Sequence, residues 1–422
     1  MKKPLLALLI AASLSACGTS STTTEASTDT ASNTATNIEG HQNFRGAELI
    51  VEGQENWYRE LRLDSWVEMG VTEAEIAAVL TRIDSDKKLR DESNEDTEGH
   101  WTFEFSKEAQ HFNLQANHVT GIAAATLYQK ASTFWLIASY PNLHQANELV
   151  ALNKSVDAYV QAALLRGENV EKVKLPLADK SISPSYIIGL LHLPKIEANK
   201  KAPVTLWTGG VDKALVEHHG SLIDTVNNGT AVLTFDMPGA GLNNNIILEL
   251  DKETEAHDAA LAYVLNDDRL DNSRIAVLSQ SGAGIPLMEF AIDNPELKAI
   301  VARCAVVDGV LTKPFLFPKL PLMTSQSFGK RIGADITKLD SFGDLTVPLS
   351  LKTKGYFDGK ARMDTPMLVI NTSGDMVASA EDMQKTAALS TQGVVEFYGT
   401  DGHCPEGQEA ADSITNFIND RI

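Results

Sequence analysis

The sequence is short of cations, of cysteine and of long apolar runs, and each shortage closes off a class of function. Lys and Arg number 36 against 56 Asp and Glu, for a formal net charge of −20. No basic cluster stands out, so nothing marks the electrostatic footprint of a nucleic-acid binder. The surplus of carboxylates reads as a solubility feature. The 3 cysteines, Cys17, Cys304 and Cys404, are too few for a disulfide framework. A Cys304–Cys404 bridge and a free Cys304 buried at a strand end both stay open. No His-Glu-x-x-His, paired Cys-x-x-Cys or Walker loop is present. Gly239-Ala240-Gly241 and Gly282-Ala283-Gly284 are too short for a dinucleotide fingerprint and lack its spacing. Neither a metal nor an organic cofactor is therefore expected. The apolar run Pro4 to Ala12 is too short to span a bilayer, and Gln129 and Lys130 interrupt the helical pattern around them. No internal repeat is evident.

What is there is a 422-residue chain, 43% hydrophobic, enough for one large or two ordinary domains with a sizeable core. It opens on a leader. Lys2-Lys3 is a positive n-region, Pro4 to Ala12 a short h-region, and Leu14-Ser15-Ala16-Cys17 resembles a bacterial lipobox. The expectation is a signal peptide over 1–16 and lipidation of Cys17, against plain cleavage after Ala16 with a free Cys17. Gly18 stands where an Asp would resemble an inner-membrane retention signal. The expected place is thus the outer membrane, facing the periplasm. Residues 18–37 are rich in Ser, Thr and Ala with almost no large apolar side chain. They cannot bury a core, so 17–43 is expected to be a lipidated, disordered tether.

Two grammars follow. Thr72 and Glu75 have the spacing of a capping box, and Ile76, Val79, Leu80 and Ile83 share one helical face. The charged stretch Asp84 to His100 is expected to be exposed. His118 to Tyr140 and the stripe Leu149, Leu152, Val156, Tyr159 and Ala163 predict two further helices. Residues 44–167 therefore read as a helical domain. From residue 168 the pattern changes to short apolar strands. They are Lys172–Pro176, Tyr186–Leu193, Pro203–Trp207, Ala231–Asp236, Arg274–Leu278, Leu297–Arg303, Met367–Asn371 and Val394–Tyr398. Helical patterns such as Asp212–Val226, with a solvated His218-His219 pair, and Lys252–Leu265 lie between them. This alternation predicts an α/β fold over 168–422, a mostly parallel sheet covered by helices. Residues 310–362, with Pro314, Pro318 and Pro321 and a helical pattern from Gly333 to Leu339, interrupt it as an excursion near the site.

The chemistry concentrates at the carboxyl ends of those strands, where open α/β sheets bind ligands. Leu278-Ser279-Gln280-Ser281-Gly282-Ala283-Gly284 sits between a strand and a helix. It resembles the nucleophile elbow of α/β-hydrolases, with the small residues Ser279 and Ala283 where that pattern has glycine. In such folds the chain order is nucleophile, acid, base. Of 10 histidines only His403 follows Ser281, in the loop Gly399-Thr400-Asp401-Gly402-His403-Cys404. Asp375 ends the preceding strand and is the expected acid, ahead of Asp382 and Asp401. The oxyanion donors are expected at Gly282, after the nucleophile, and at Val211 or Asp212 in Thr208-Gly209-Gly210-Val211-Asp212. Asp236 reads equally as a turn residue and as a substrate contact.

Taken together, Asn56-Trp57-Tyr58-Arg59, Gly99-His100-Trp101-Thr102-Phe103-Glu104, Thr208-Gly209-Gly210-Val211-Asp212, Asp236-Met237-Pro238, Ser350-Leu351-Lys352-Thr353-Lys354-Gly355 and Thr365-Pro366-Met367 resemble the FrsA-like esterases over nearly all of 44–422. The resemblance implies a helical N-terminal cap on an α/β-hydrolase core and hydrolysis of a small-molecule carboxylic ester. It also implies a cytosolic partner, a sugar-phosphotransferase component, which an exported lipoprotein could not meet. That role is not carried over. Elbows of this family can lack the serine and final loops can lack the histidine; here Ser281, Asp375 and His403 are all present. A more distant likeness, to capped hydrolases that cleave a carbon–carbon bond beside a ketone, gives one alternative. A non-catalytic scaffold on the same fold is the other.

Overall fold

The computed structural model describes residues 61–83, 96–197, 199–320 and 322–422. The expected leader 1–16, Cys17 with its tether to residue 43, and residues 44–60 lie outside the described residues. The described chain starts with two short helices, α1 (Leu63–Glu68) and α2 (Glu73–Leu80). The Thr72 hydroxyl accepts from the Glu75 amide at 3.2 Å, and the Glu75 carboxylate accepts from the Thr72 amide at 2.9 Å. Both orphan amides at the start of α2 are thereby satisfied. Three longer helices follow: α3 (Trp101–Ala116), α4 (Gly121–Ser139) and α5 (Ala146–Arg166). α4 packs along both of its neighbours. Pro141 prevents α4 from continuing, and Gly167 closes α5 in the left-handed conformation, φ +80°. Of the stretch expected to be exposed, 84–95 lies outside the described residues, and His100 is buried because it leads into α3 beside the fully buried Trp101.

The remainder is β1 (Asn169–Pro176), β2 (Tyr186–Leu193), β3 (Ala202–Thr208), α6 (His219–Asn227), β4 (Ala231–Phe235), α7 (Glu255–Asn266), β5 (Leu270–Gln280), α8 (Gly284–Asp293), β6 (Ala299–Arg303), α9 (Leu322–Arg331), β7 (Met367–Asn371), α10 (Ala380–Ala387), β8 (Gly393–Phe397) and α11 (Gln408–Asn419). The strands form one 8-stranded sheet in the order β1-β2-β4-β3-β5-β6-β7-β8. β2 pairs antiparallel with both β1 and β4, and every other pair is parallel. Alternate residues of each strand serve opposite faces. Leu206, Val277, Ile300 and Val369 join the large core that includes α7, α8 and α10. Trp207, Leu278, Val301 and Leu368 join a second core under α6 and α11. Both faces are apolar, which is why the strands read as near-continuous hydrophobic runs.

Two local expectations fail. The longest helix of the excursion is α9, at Leu322–Arg331, and not Gly333–Leu339. Gly333 is its stop signal: it sits at φ +69°, and the Ala334 amide reaches back to the Gly329 carbonyl at 2.8 Å. The His218-His219 pair is not solvated. The turn Leu215–His218 is tucked against α5, β2 and β4, so His218 is buried, and His219 Nε2 lies 3.1 Å from the Glu168 carboxylate.

Candidate active site

Ser281 follows the last residue of β5 and has φ +54°. For a residue with a Cβ this is a strained conformation, held only where the surroundings over-determine it. Here they do. The Val306 amide donates to the Ser281 carbonyl at 2.9 Å. A Cβ on Gly284 would lie 2.6 Å from the Ala305 Cβ, and one on Gly282 would lie 2.5 Å from Val211 Cγ1. The turn after β5 is thus pressed between the segments after β6 and β3. Ser279, two residues before the tip, is fully buried, and its hydroxyl lies 3.1 Å from Nε2 of His257 on α7. Burial pushes His257 down to about 3, so the ring is neutral and acts as a packing partner.

The structure brings Ser281, His403 and Asp375 together. Ser281 Oγ lies 2.7 Å from His403 Nε2. His403 Nδ1 lies 2.6 Å from Asp375 Oδ2. A carboxylate can only accept here, so Nδ1 carries the proton and Nε2 faces the hydroxyl as acceptor. Asp375 is fixed from behind: the Asn371 amide donates to Oδ2 at 3.0 Å, and the Val377 N–H donates to Oδ1 at 2.7 Å. Burial alone would push the Asp375 carboxyl up; the His403 ring and these donors outweigh it and hold the carboxyl below its usual range. Of the other two acids considered, Asp382 accepts from the Gly309 amide at 3.1 Å, and Asp401 is exposed.

The loop that carries His403 is tied down at several points. The Thr372 hydroxyl donates to the Gly402 carbonyl at 2.8 Å, and Arg303 Nη2 donates to the Pro405 carbonyl at 2.6 Å. Cys404 is joined by a disulfide to Cys304, the first residue after β6. Cys304, His403 and Cys404 have their ligand atoms within 4.8 Å of one another, but the two sulfurs are bonded together and leave one ring nitrogen as donor. That set does not fit a metal ion.

The loop after β3, one of the two expected sources of an oxyanion donor, packs against the elbow. Gly210 packs so closely on the nucleophile that an added Cβ would lie 2.8 Å from the Ser281 Cβ. The Val211 nitrogen is 3.7 Å from the point a Gly282 Cβ would occupy. The Asp212 carboxylate is ion-paired with Arg62, and the Val211 carbonyl accepts from Arg331 Nε at 2.8 Å. Asp236 holds the turn after β4. It is buried, its carboxylate accepts from the Leu242 amide at 3.3 Å, and burial pushes it up to about 7. Sequence reasoning missed Arg62, Arg331 and Asn371, since no spacing rule marks a lone arginine or asparagine. The neighbouring positions of His403 and Cys404 were a usable signal for the disulfide.

A family model described as Esterase FrsA-like matches residues 20–422 of this chain. Esterase FrsA of Vibrio cholerae is 27% identical over 382 residues, covering 88% of this chain and 89% of the relative. Esterase FrsA of Vibrio parahaemolyticus is 28% identical over 353 residues, covering 80% and 81%. Among solved structures, AbyA5 wildtype matches with a TM-score of 0.62 at 19% identity, over 81% of this chain and 88% of its own. The 2,6-dihydroxy-pseudo-oxynicotine hydrolase matches with a TM-score of 0.63 at 17% identity, over 84% and 95%. Both structural likenesses speak for the α/β-hydrolase fold.

Proposed function

The chain belongs to the FrsA-like esterase family and is a carboxylic-ester hydrolase, and from that premise we propose that it cleaves a small carboxylic ester through an acyl-enzyme on Ser281. The unbroken run Ser281 Oγ, His403 Nε2, His403 Nδ1, Asp375 Oδ2, with contacts of 2.7 and 2.6 Å, carries this reading. Ser281 Oγ attacks the ester carbonyl as His403 Nε2 takes its proton. Asp375 keeps the ring in the right tautomer and stabilises the imidazolium. The amides of Gly282 and of Val211 or Asp212 receive the developing oxyanion. His403 returns the proton to the leaving alcohol, and water then releases the acid by the same steps in reverse. The helices of 61–167 act as a cap beside this site.

The deciding experiment is labelling with a fluorophosphonate, followed by mapping of the modified peptide. Adduct on Ser281 that disappears in His403→Ala supports the reading. Ser281→Ala and His403→Ala are expected to lose on the order of 10⁴–10⁶ in turnover, without additivity. Ester hydrolysis unchanged in Ser281→Ala overturns the mechanism. Activity on β-diketones but not on esters would place the reaction at a carbon–carbon bond instead.

We also propose that the mature enzyme is anchored through lipidated Cys17 and faces the periplasm. The lipobox-like Leu14–Cys17 supports this, and so does the Cys304–Cys404 disulfide, a bond that persists in oxidising compartments. In a Gram-negative host the protein is expected to partition into detergent and to take up labelled fatty acid. A Cys17→Ala form that stays equally membrane-bound would argue against the anchor.

A further inference from the structure

The loop Gly210–Asp212 is gripped by two arginines that no motif announces. Arg331, the last residue of α9, is fully buried and sits where a helix C-terminus favours a cation. Its Nε donates to the Val211 carbonyl at 2.8 Å, its Nη1 to the Asn142 carbonyl at 2.8 Å, and its Nη2 to the Pro141 carbonyl at 3.3 Å. One guanidinium, carried by the excursion, therefore ties two other backbone segments together: the turn after α4 and the loop after β3. Arg62, just before α1, lies 4.9 Å over the Tyr140 ring and pairs with the Asp212 carboxylate. The two anchors hold consecutive residues.

The peptide between Val211 and Asp212 is planar, and in the trans form its C=O and N–H point in opposite directions. Fixing the Val211 oxygen therefore fixes the direction of the Asp212 N–H. Fixing the Asp212 side chain adds a second constraint to the same unit. Gly210 and Val211 meanwhile rest against Ser281 and Gly282. We propose that Arg331 and Arg62 are positioning residues, which clamp Val211–Asp212 so that its amides face the Ser281–Gly282 tip. The clamp couples the N-terminal helices and the excursion to the oxyanion site. Neither arginine touches substrate. This inference rests on the serine-esterase reading above.

The test uses the full chain with p-nitrophenyl acetate, with every rate divided by the fraction of sites titrated by a fluorophosphonate. In Arg331→Lys, kcat per titrated site is expected to fall 10- to 10³-fold, the scale of a misplaced oxyanion donor. KM is expected to stay within about threefold, because ground-state binding does not use that donor. A trifluoromethyl ketone, which forms a tetrahedral adduct on serine, should lose affinity in parallel with kcat. Arg62→Met removes a partly exposed side chain, so it decides the matter if Arg331→Lys does not fold. The same split between kcat and KM is expected there, with a smaller loss. A lower titratable fraction with an unchanged rate per site in these variants would mean the arginines only hold the fold, and would overturn the proposal. Ester hydrolysis that survives in Ser281→Ala is a different result: it removes the underlying reading, whatever the arginines do.

Discussion

A methyl group at Gly210 would have to share space with the Ser281 Cβ, 2.8 Å away. The elbow is pinned on its other side by the Val306 amide and by Gly284 against Ala305, so it has little room to retreat. Gly210→Ala is expected to lose most of its activity and about 1–3 kcal/mol of stability, the usual range for overpacking. Gly220 is the matched control. It lies in α6, and nothing stands within 4 Å of an added Cβ. Gly220→Ala is expected to keep full activity and to gain up to about 1 kcal/mol, because alanine is the better helix former. Urea midpoints and initial rates of the two variants check both expectations. Single residues of this kind were only partly legible. Ser281, Asp375 and His403 could be placed because chain order and strand ends restrict them. Arg331 could not, since its partners Val211, Asn142 and Pro141 are carbonyls scattered along the chain.

At the scale of elements, the loop after β8 is the one that must be held for His403 to face Ser281. The disulfide ties it to the end of β6 across a sequence separation of 100. By chain entropy a loop of that size stabilises by about 4–5 kcal/mol at most. Cys304→Ser/Cys404→Ser is expected to melt several degrees lower. Its kcat is expected to fall more than its KM rises, since the bond holds the base and does not contact substrate. Rates with and without dithiothreitol, compared between the wild type and this double variant, check the assignment: only the wild type should respond. The strands of the sheet were legible to within a few residues, since apolar runs bounded by turns are strong local signals. α9 was not. Its sequence Leu322–Arg331 is polar on balance, and the pattern beyond Gly333 looked more helical than the helix itself. Tertiary packing, through the buried Met323, Phe328 and Arg331, decides that segment.

For the whole molecule, burial of histidine sets the response to acid. Burial pushes His144 and His192 down to about 4 and His257 to about 3, and it holds His218 well below its ordinary value. In the unfolded chain all four would take up protons near 6.5. A depressed folded value gives stability that is present above 6.5 and lost as pH falls below it. Asp236, raised by burial to about 7, works in the opposite sense: its contribution is present below the usual carboxylate range and lost as pH rises towards 7. Glu217, Glu255, Asp258, Glu289 and Asp382, all raised by burial, share that sense. Against these six carboxyls, the four buried histidines are expected to pull stability down between pH 6.5 and 5. Each proton bound only by the unfolded chain contributes about 1.4 kcal/mol per pH unit. Melting temperatures of the wild type and of single histidine variants across that range check the sign of the histidine contribution. His257→Gln should flatten the slope, and Asp236→Asn should gain on the wild type as pH rises from 5 to 8. The separation into an all-helical stretch and a strand–helix alternation was visible in the sequence because the two periods differ. The contact between them was not visible: the Tyr159 hydroxyl on α5 reaches His192 of β2 at 2.8 Å, across 33 residues of sequence.

The hydroxyl of Ser279 beside His257 also constrains descent. The two side chains share one buried contact, at 3.1 Å, with the Thr208 hydroxyl 3.4 Å from the same nitrogen. A lineage that replaced Ser279 with glycine would leave His257 Nε2 with only the longer contact, at an expected penalty of about 1–3 kcal/mol for a poorly satisfied buried polar group. One that replaced His257 with leucine would strand the serine hydroxyl. Positions 257 and 279 are therefore expected to change together, with histidine accompanying a hydroxyl residue and an apolar side chain accompanying glycine. Sequences in which they vary independently would show that the pair is not inherited as a unit.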